Sequence, residues 1–250
     1  MNAPDRIVIV GATSRIAELC ARRWAESGAR HFSLAGRDGQ RLEAIAADLC
    51  ARAPGAEVEC AVLDFTDPAR IAAFAQDAQP GQRLDLVLIA HGSLPDQGAC
   101  ERDMAECARA LEVNALSPAL FAQAFVQRLE AAGHGTLALI GSVAGDRGRK
   151  SNYVYGAAKG LVTRLAQGLQ HRLANSPVCV VLIKPGPTDT PMTAALKSRG
   201  APLAPAEDVA AAIVRGIAAR RRVVYAPAKW GLIMMVIRHL PWAVFRRMDI

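Results

Sequence analysis

The chain has 250 residues, 52% of them hydrophobic and few aromatic, with a formal net charge of +7. That length and composition exclude a disordered chain and suit one large α/β domain or two small ones, burying roughly three quarters of the unfolded surface. The positive balance is mild and not interleaved with aromatics, so no nucleic-acid partner is expected; an anionic small molecule or a phospholipid surface suits it better.

The cysteines (Cys20, Cys50, Cys60, Cys100, Cys107 and Cys179) form no Cys-x-x-Cys and no ligand-like spacing. With no secretory signal read at the start, they are expected as free thiols in a reducing cytoplasm, packed as small hydrophobes, and no metal is expected.

In chain order, RIVIV (6–10) opens the pattern and a segment of helical period follows over 15–28. HFSLA (31–35) precedes a helix over 38–52, and EVECAVL (57–63) a helix over 68–79. LDLVLIA (84–90) is followed by a long helix over 101–131, and GTLALIG (135–141) by a helix over 153–174. PVCVVLI (177–183), a helix over 206–219 and RRVVYA (221–226) complete the series. Continuous Val, Ile and Leu runs without a polar face are what a strand covered on both sides requires. Seven of them with helical crossovers predict an α/β fold, a doubly wound seven-stranded parallel sheet of the Rossmann kind. No linker or repeat divides it, so a single domain over 1–227 is expected, followed by a hydrophobic and basic helical extension over 228–250.

VIVGATSRIAELC (8–20) follows the first strand and opens the first helix, where a dinucleotide pyrophosphate is expected. Gly11 permits the tight turn, and Ser14 suits the helix N-cap. Arg15 falls in the first helical turn, where a cation costs roughly 0.3–1 kcal/mol. A bound phosphate would remove that conflict; the alternative is an arginine turned to water. The second strand ends in Gly36 and Arg37, where an NAD site would place an acid, and an arginine there suits the 2′-phosphate of NADP. Asp64, ending the third strand, is placed to accept from the adenine amino group or to cap the next helix. Gly92, after the fourth strand, lets the backbone approach the adenosine ribose.

LIGSVAG (139–145) places Ser142 at the carboxyl edge of the sheet, where ligands bind in such folds. On the next helix Tyr155 and Lys159 are four residues apart and share a face. Asn114, in EVNALSPAL, lies on the helix between strands four and five, and Pro185 and Gly186 are expected to break the sixth strand and free the backbone to meet a ligand. Hydride reduction of a ketone develops an alkoxide that must be stabilised and protonated. A phenol of pKa about 10 needs roughly 4 kcal/mol of preference for phenolate to work near neutrality. Lys159, with a positive nicotinamide, would supply it in a poorly solvated cleft, while Ser142 donates to the carbonyl oxygen. Tyr153, without a lysine four residues on, is expected to line the substrate pocket.

Through GATSRIA, LDFTD, AHG, VNALSP, GSVAG, YGAAK and PGPTDT, the chain resembles the short-chain dehydrogenase/reductase family over essentially its whole length. The resemblance implies Tyr155 as catalytic acid and base, Ser142 as carbonyl-polarising donor, Lys159 on the nicotinamide ribose and Asn114 in a proton relay. It implies cofactor contacts from Gly11, Thr13, Ser14, Arg15 and Ile16, from Arg37, Asp64 and Gly92, and from Pro185, Gly186, Thr188 and Thr190, with Tyr155 and Lys159 joining them. NADP is the implied cofactor, NAD the second choice, and a homo-oligomer the implied state. Two departures fall on the cofactor side: Arg15 and Ala17 stand where glycines are usual, and AHG replaces Asn-Ala-Gly.

GDRGRKSNYVYGAAKG and the closing VVYAPAKWGLIMMVIRHLPWAVFRRMDI are similar to the decaprenylphosphoryl-2-keto-erythro-pentose reductases. That implies a keto-sugar on a polyprenyl phosphate, of the kind used in cell-wall or polysaccharide biosynthesis, with Arg147, Arg149 and Lys150 facing its phosphate. The alternatives are a general small-ketone or 3-oxoacyl reductase and, from another class, a non-catalytic NADP sensor, against which the intact Ser142, Tyr155 and Lys159 set argues. The apolar run from Trp230 stops at Arg238, far short of the roughly 20 residues of a membrane span. Two short helices about Pro241 are expected instead, packed on the domain or lying in a membrane interface through Trp230, Trp242, Phe245 and their arginines. The expected place is the cytoplasm, with contact at the inner face of the membrane.

Overall fold

The protein is described by a computed structural model over residues 4–79 and 81–248; positions 1–3 and 249–250 of the two expected segments lie outside the described residues. The chain begins β1 (Arg6–Val10), α1 (Arg15–Glu26), β2 (His31–Gly36), α2 (Gly39–Arg52), β3 (Glu57–Val62), α3 (Pro68–Asp77) and β4 (Leu86–Ile89). It continues through α4 (Gln97–Arg102), α5 (Met104–Leu111), α6 (Ser117–Ala132), β5 (Thr136–Ile140), α7 (Tyr153–Arg172) and β6 (Cys179–Pro185). The last elements are α8 (Ala194–Ser198), α9 (Ala206–Ala218), β7 (Val223–Ala226), α10 (Lys229–His239) and α11 (Trp242–Phe245).

All seven strands are parallel, in the order β3-β2-β1-β4-β5-β6-β7, so the expected doubly wound sheet is present. Strand residues alternate faces, and in β1 both faces are apolar. Ile7 and Ile9 pack with Trp24, Leu42, Val209 and Ile213 under α1, α2 and α9. Val8 and Val10 pack with Phe121, Phe125, Val162 and Leu169 under α6 and α7. The order reverses between β1 and β4, and the crevice beyond their carboxyl ends is where such sheets bind ligands.

Two expectations change. β3 is an edge strand, with Glu57, Glu59, Cys60 and Val62 exposed, so it is not covered on both sides. The helix expected over 101–131 is divided into α5, a π turn over 112–116 and α6. The physical reason is Pro118, which has no N–H for the carbonyl four residues back, that of Asn114. Pro185 is the last residue of β6 and still pairs with Ala226, so the expected break falls at Gly186, whose amide donates to the Ala226 carbonyl at 3.0 Å.

After β7, α10 packs on that strand and on the turn over 143–146, burying Met234. Among the described residues, no helix is long and apolar enough to cross a membrane.

Candidate active site

The loop after β1 turns at Gly11, whose φ of +80° favours glycine, and a β-carbon there would stand 2.6 Å from the backbone nitrogen of His91. Ser14 occupies the N-cap position of α1, yet its side chain makes no capping bond, contrary to the expectation for it. The next four helices are capped by the carboxylates of Asp38, Asp67, Asp96 and Asp103. The start of α1 therefore opens without a side-chain acceptor onto a cavity of about 250 Å³ lined by Gly11, Thr13, Ser14, Arg15 and Ile16.

Arg15 lines this cavity and is half-buried, with acidic partners of its own. It pairs with Glu18 at 3.2 Å and with Glu207 of α9 at 3.1 Å, and these two carboxylates offset a cation at a helix start.

Arg37 and Arg41 line the same cavity. Asp38, the acid next to Arg37, is engaged in capping α2 through the Arg41 amide at 3.1 Å, and Arg41 itself donates to the Thr13 carbonyl at 2.9 Å. Arg37 makes no ion pair among the described residues. Asp64 caps no helix: its Oδ1 accepts from the Thr66 amide and hydroxyl, and these bonds hold it below the usual carboxylate range. An uncapped helix start, two cationic side chains and no free acid beside β2 together fit the phosphates of a dinucleotide.

His91 is a residue the sequence reading passed over. Its ring packs between Phe65 and Phe121, and its Nε2 shares a 2.7 Å hydrogen bond with the Ser117 hydroxyl. Burial pushes its pKa down to about 3, so the imidazole is neutral. It borders the arginine-lined cavity and a smaller neighbour of about 100 Å³. The signal available in the sequence was a histidine ending an apolar strand.

That smaller cavity brings together Asn114, Ser142, Tyr155 and Lys159, with Pro185, Gly186, Thr188 and Thr190 on its far side. Ser142 follows β5 and caps the turn over 143–146, and its Oγ accepts from the Ala144 amide at 3.1 Å, which leaves its own proton to be donated. Burial raises the Tyr155 phenol pKa, and a hydrogen bond with Ser142 and the nearby Arg149 guanidinium act against the rise. Lys159 is 3% exposed, donates to the Ile140 carbonyl at 3.2 Å, and has its pKa pushed down by burial to about 8. Its Nζ lies 5.9 Å from the centre of the Tyr155 ring. In the protein without its cofactor the phenol pKa is raised, because desolvation outweighs the Ser142 hydrogen bond and the Arg149 guanidinium.

Asn114 is fully buried; its Oδ1 accepts from the Ser93 amide at 2.9 Å and its Nδ2 donates to the Ala110 carbonyl at 3.0 Å. Gly92 lines both cavities. A β-carbon there would stand 2.8 Å from Asn114 Oδ1 and 3.4 Å from Lys159 Nζ, so glycine lets these two polar groups approach the end of β4.

Tyr153 lies outside this cavity. It lines a separate one of about 440 Å³ with Arg149, Lys150, Trp242, Phe245 and Arg246. Arg149 is partly buried there and its Nε has no hydrogen-bond partner among the described residues. Arg147 turns the other way, donating to the Ile237 and Leu240 carbonyls, so it anchors the tail instead of facing the cleft. Trp230 lies over Gly186, so close that a β-carbon there would overlap its indole. The tail is thus both packed and exposed: Leu232, Met235, Val236, Trp242 and Val244 present an outer apolar face.

A family model described as short chain dehydrogenase matches residues 5–200. An uncharacterized oxidoreductase of Streptomyces coelicolor is 34% identical over 98% of this chain and 96% of its own length. A second, from Mycobacterium tuberculosis, is 33% identical over 97% of this chain and 96% of its own. The solved short-chain dehydrogenase from Sphingobium yanoikuyae in complex with NADPH is 26% identical, with a TM-score of 0.81 over 95% of this chain and 97% of that one.

Proposed function

The chain belongs to the short-chain dehydrogenase family, and from that premise we propose an NADP(H)-dependent oxidoreductase that interconverts a ketone and a secondary alcohol, with NAD as the weaker cofactor. The observation that carries this reading is the convergence of Ser142, Tyr155, Lys159 and Asn114 on one cavity beside the arginine-lined one. The NADPH held there would supply the hydride that the carbonyl carbon receives. Ser142, its oxygen already engaged by the Ala144 amide, donates its proton to the carbonyl oxygen where charge grows. Tyr155, kept protonated by burial, delivers its proton to that oxygen. Lys159 holds the positive charge that stabilises the phenolate left behind, and Asn114 is its route to proton resupply. Arg37 takes the 2′-phosphate, Asp64 the adenine, and the α1 start the pyrophosphate.

Within this reading the substrate is a keto-sugar on a polyprenyl phosphate, its phosphate at Arg149 and its neighbouring apolar part against Tyr153, Trp242 and Phe245. Support comes from the unpartnered Arg149 Nε in a cavity with aromatic walls. The exposed apolar face of α10 and α11, flanked by Arg238, Arg246 and Arg247, would hold the protein at an anionic cytoplasmic membrane surface. The homo-oligomer belongs to the same reading, and Leu111, Leu116 and Leu161 are exposed on α5 to α7 as apolar surface for it.

The test is stereospecific loss of NADPH absorbance over a panel of ketones, with and without a polyprenyl phosphate. Turnover of the phosphate-bearing ketone alone supports the lipid-linked substrate, and turnover of simple ketones alone favours the small-ketone or 3-oxoacyl reductase. NADPH binding with no turnover leaves the sensor. Co-sedimentation with anionic vesicles, compared with a chain ending at Pro227, tests the membrane contact, and equal binding by both forms refutes it.

A further inference from the structure

We propose that Asp146, Lys184 and Tyr225 form a buried positioning triad that fixes the turn carrying Ser142 and the wall made by Pro185 and Gly186; the proposal rests on the reductase reading of that site. Asp146 ends the 3-10 turn over 143–146 that Ser142 opens. Its side chain is 2% exposed and that of Lys184 is 3% exposed. One carboxylate oxygen takes the Lys184 ammonium and the other takes the Tyr225 hydroxyl at 2.8 Å. Lys184 and Tyr225 are register partners in β6 and β7, and the ammonium lies 5.6 Å from the Tyr225 ring centre. The same ring packs beside Gly231 at the start of α10. A single carboxylate therefore ties together the Ser142 turn, the strand that ends in Pro185, and the strand that leads into the tail.

A buried ion pair is weak support for stability, since apolar side chains of like volume do as well or better. Geometry is the better account of this one. None of the three lines the cavity with Ser142 and Tyr155, so each acts through another residue. Ser142 Oγ is held by the Ala144 amide inside the very turn that Asp146 terminates, so a shift of the turn moves the hydroxyl. A displacement of 1 Å at a reacting centre costs on the order of 100-fold in rate.

The experiment compares Asp146→Asn, Lys184→Met and the double variant, assayed well below the unfolding temperature of each. Each single change should lower kcat by about 10- to 100-fold with KM for NADPH unchanged, and the double should regain thermal stability without regaining kcat. Recovery of kcat along with stability, or singles that unfold sooner at unchanged kcat, would overturn the proposal. A second readout needs no turnover. The chain has three tyrosines, so the Tyr155 phenol is titrated spectrophotometrically as the difference between each variant and its Tyr155→Phe counterpart. Loss of the Ser142 bond should move that titration upward, and an unmoved titration sinks the triad. A chain that binds NADPH but reduces no ketone defeats the reductase reading instead, and the titration still decides whether the turn is held.

Discussion

The guanidinium of Arg147 lies 3.8 Å above the centre of the Phe245 ring, while its Nη1 donates to the carbonyls of Ile237 at 2.5 Å and Leu240 at 2.8 Å. Ile237 lies in the last turn of α10 and Leu240 is its C-cap, where carbonyls lack the partners of a helix interior. One side chain thereby caps the first tail helix and stacks on the second. Arg147→Ala should cost about 2 kcal/mol and expose residues 229–248 to limited proteolysis. Arg147→Lys should not rescue it, because an ammonium lacks the flat fork that serves the carbonyls and the ring together. A proteolysis pattern identical to the wild type would show that the tail is held by other contacts.

Tyr155→Phe should lower turnover by about 10²–10⁴-fold while NADPH still binds, since it removes a proton donor and little else. Lys159→Ala should weaken both binding and turnover. Tyr153→Phe should be mild, because Tyr153 lines the outer cavity and not the one that holds Ser142. Retention of more than about a tenth of the rate by Tyr155→Phe contradicts the acid assignment.

Arg37 should favour NADPH over NADH by about ten- to a hundred-fold in affinity, from one charge-assisted bond of roughly 1.5–3 kcal/mol. Arg37→Asp should turn the preference toward NADH. Direct titration of both cofactors checks it, and dissociation constants within about a factor of two would remove Arg37 from that role.

His91 should make the fold sensitive to acid. Its folded pKa of about 3 lies below the ordinary imidazole value of 6.5. As pH falls from 6.5 toward 3 the unfolded chain takes a proton that the folded one refuses, so stability is lost across that window. The loss is on the order of 5 kcal/mol at its acid end. His91→Gln, which keeps a partner for the Ser117 hydroxyl and does not titrate, should flatten the slope of stability against pH there. An unchanged slope in denaturant melts would show that other groups set the acid limit.

The central strands were legible because Val, Ile and Leu runs need only local sequence to be read. That β3 lies at the edge was not, since exposure depends on which strand fails to arrive beside it. The four-residue spacing of Tyr155 and Lys159 fixed their shared face, and Pro118 was a visible signal for the π turn that the long-helix reading did not use. Arg147 was misplaced because its surroundings are made by the tail, about 90 residues further on. The Asp146 network joins residues 38 and 79 positions apart, and no periodicity reports a contact of that range.

The tryptophan packed over Gly186 also gives the protein an optical property. Its three tryptophans occupy three different surroundings: Trp24 is 2% exposed in the core, Trp242 is 69% exposed, and Trp230 borders the wall of the cleft. Replacing Trp24 and Trp242 by phenylalanine leaves one indole whose emission answers to the cleft wall alone. Ligand entry can then be timed by fluorescence in the unlabelled protein, before any chemistry takes place.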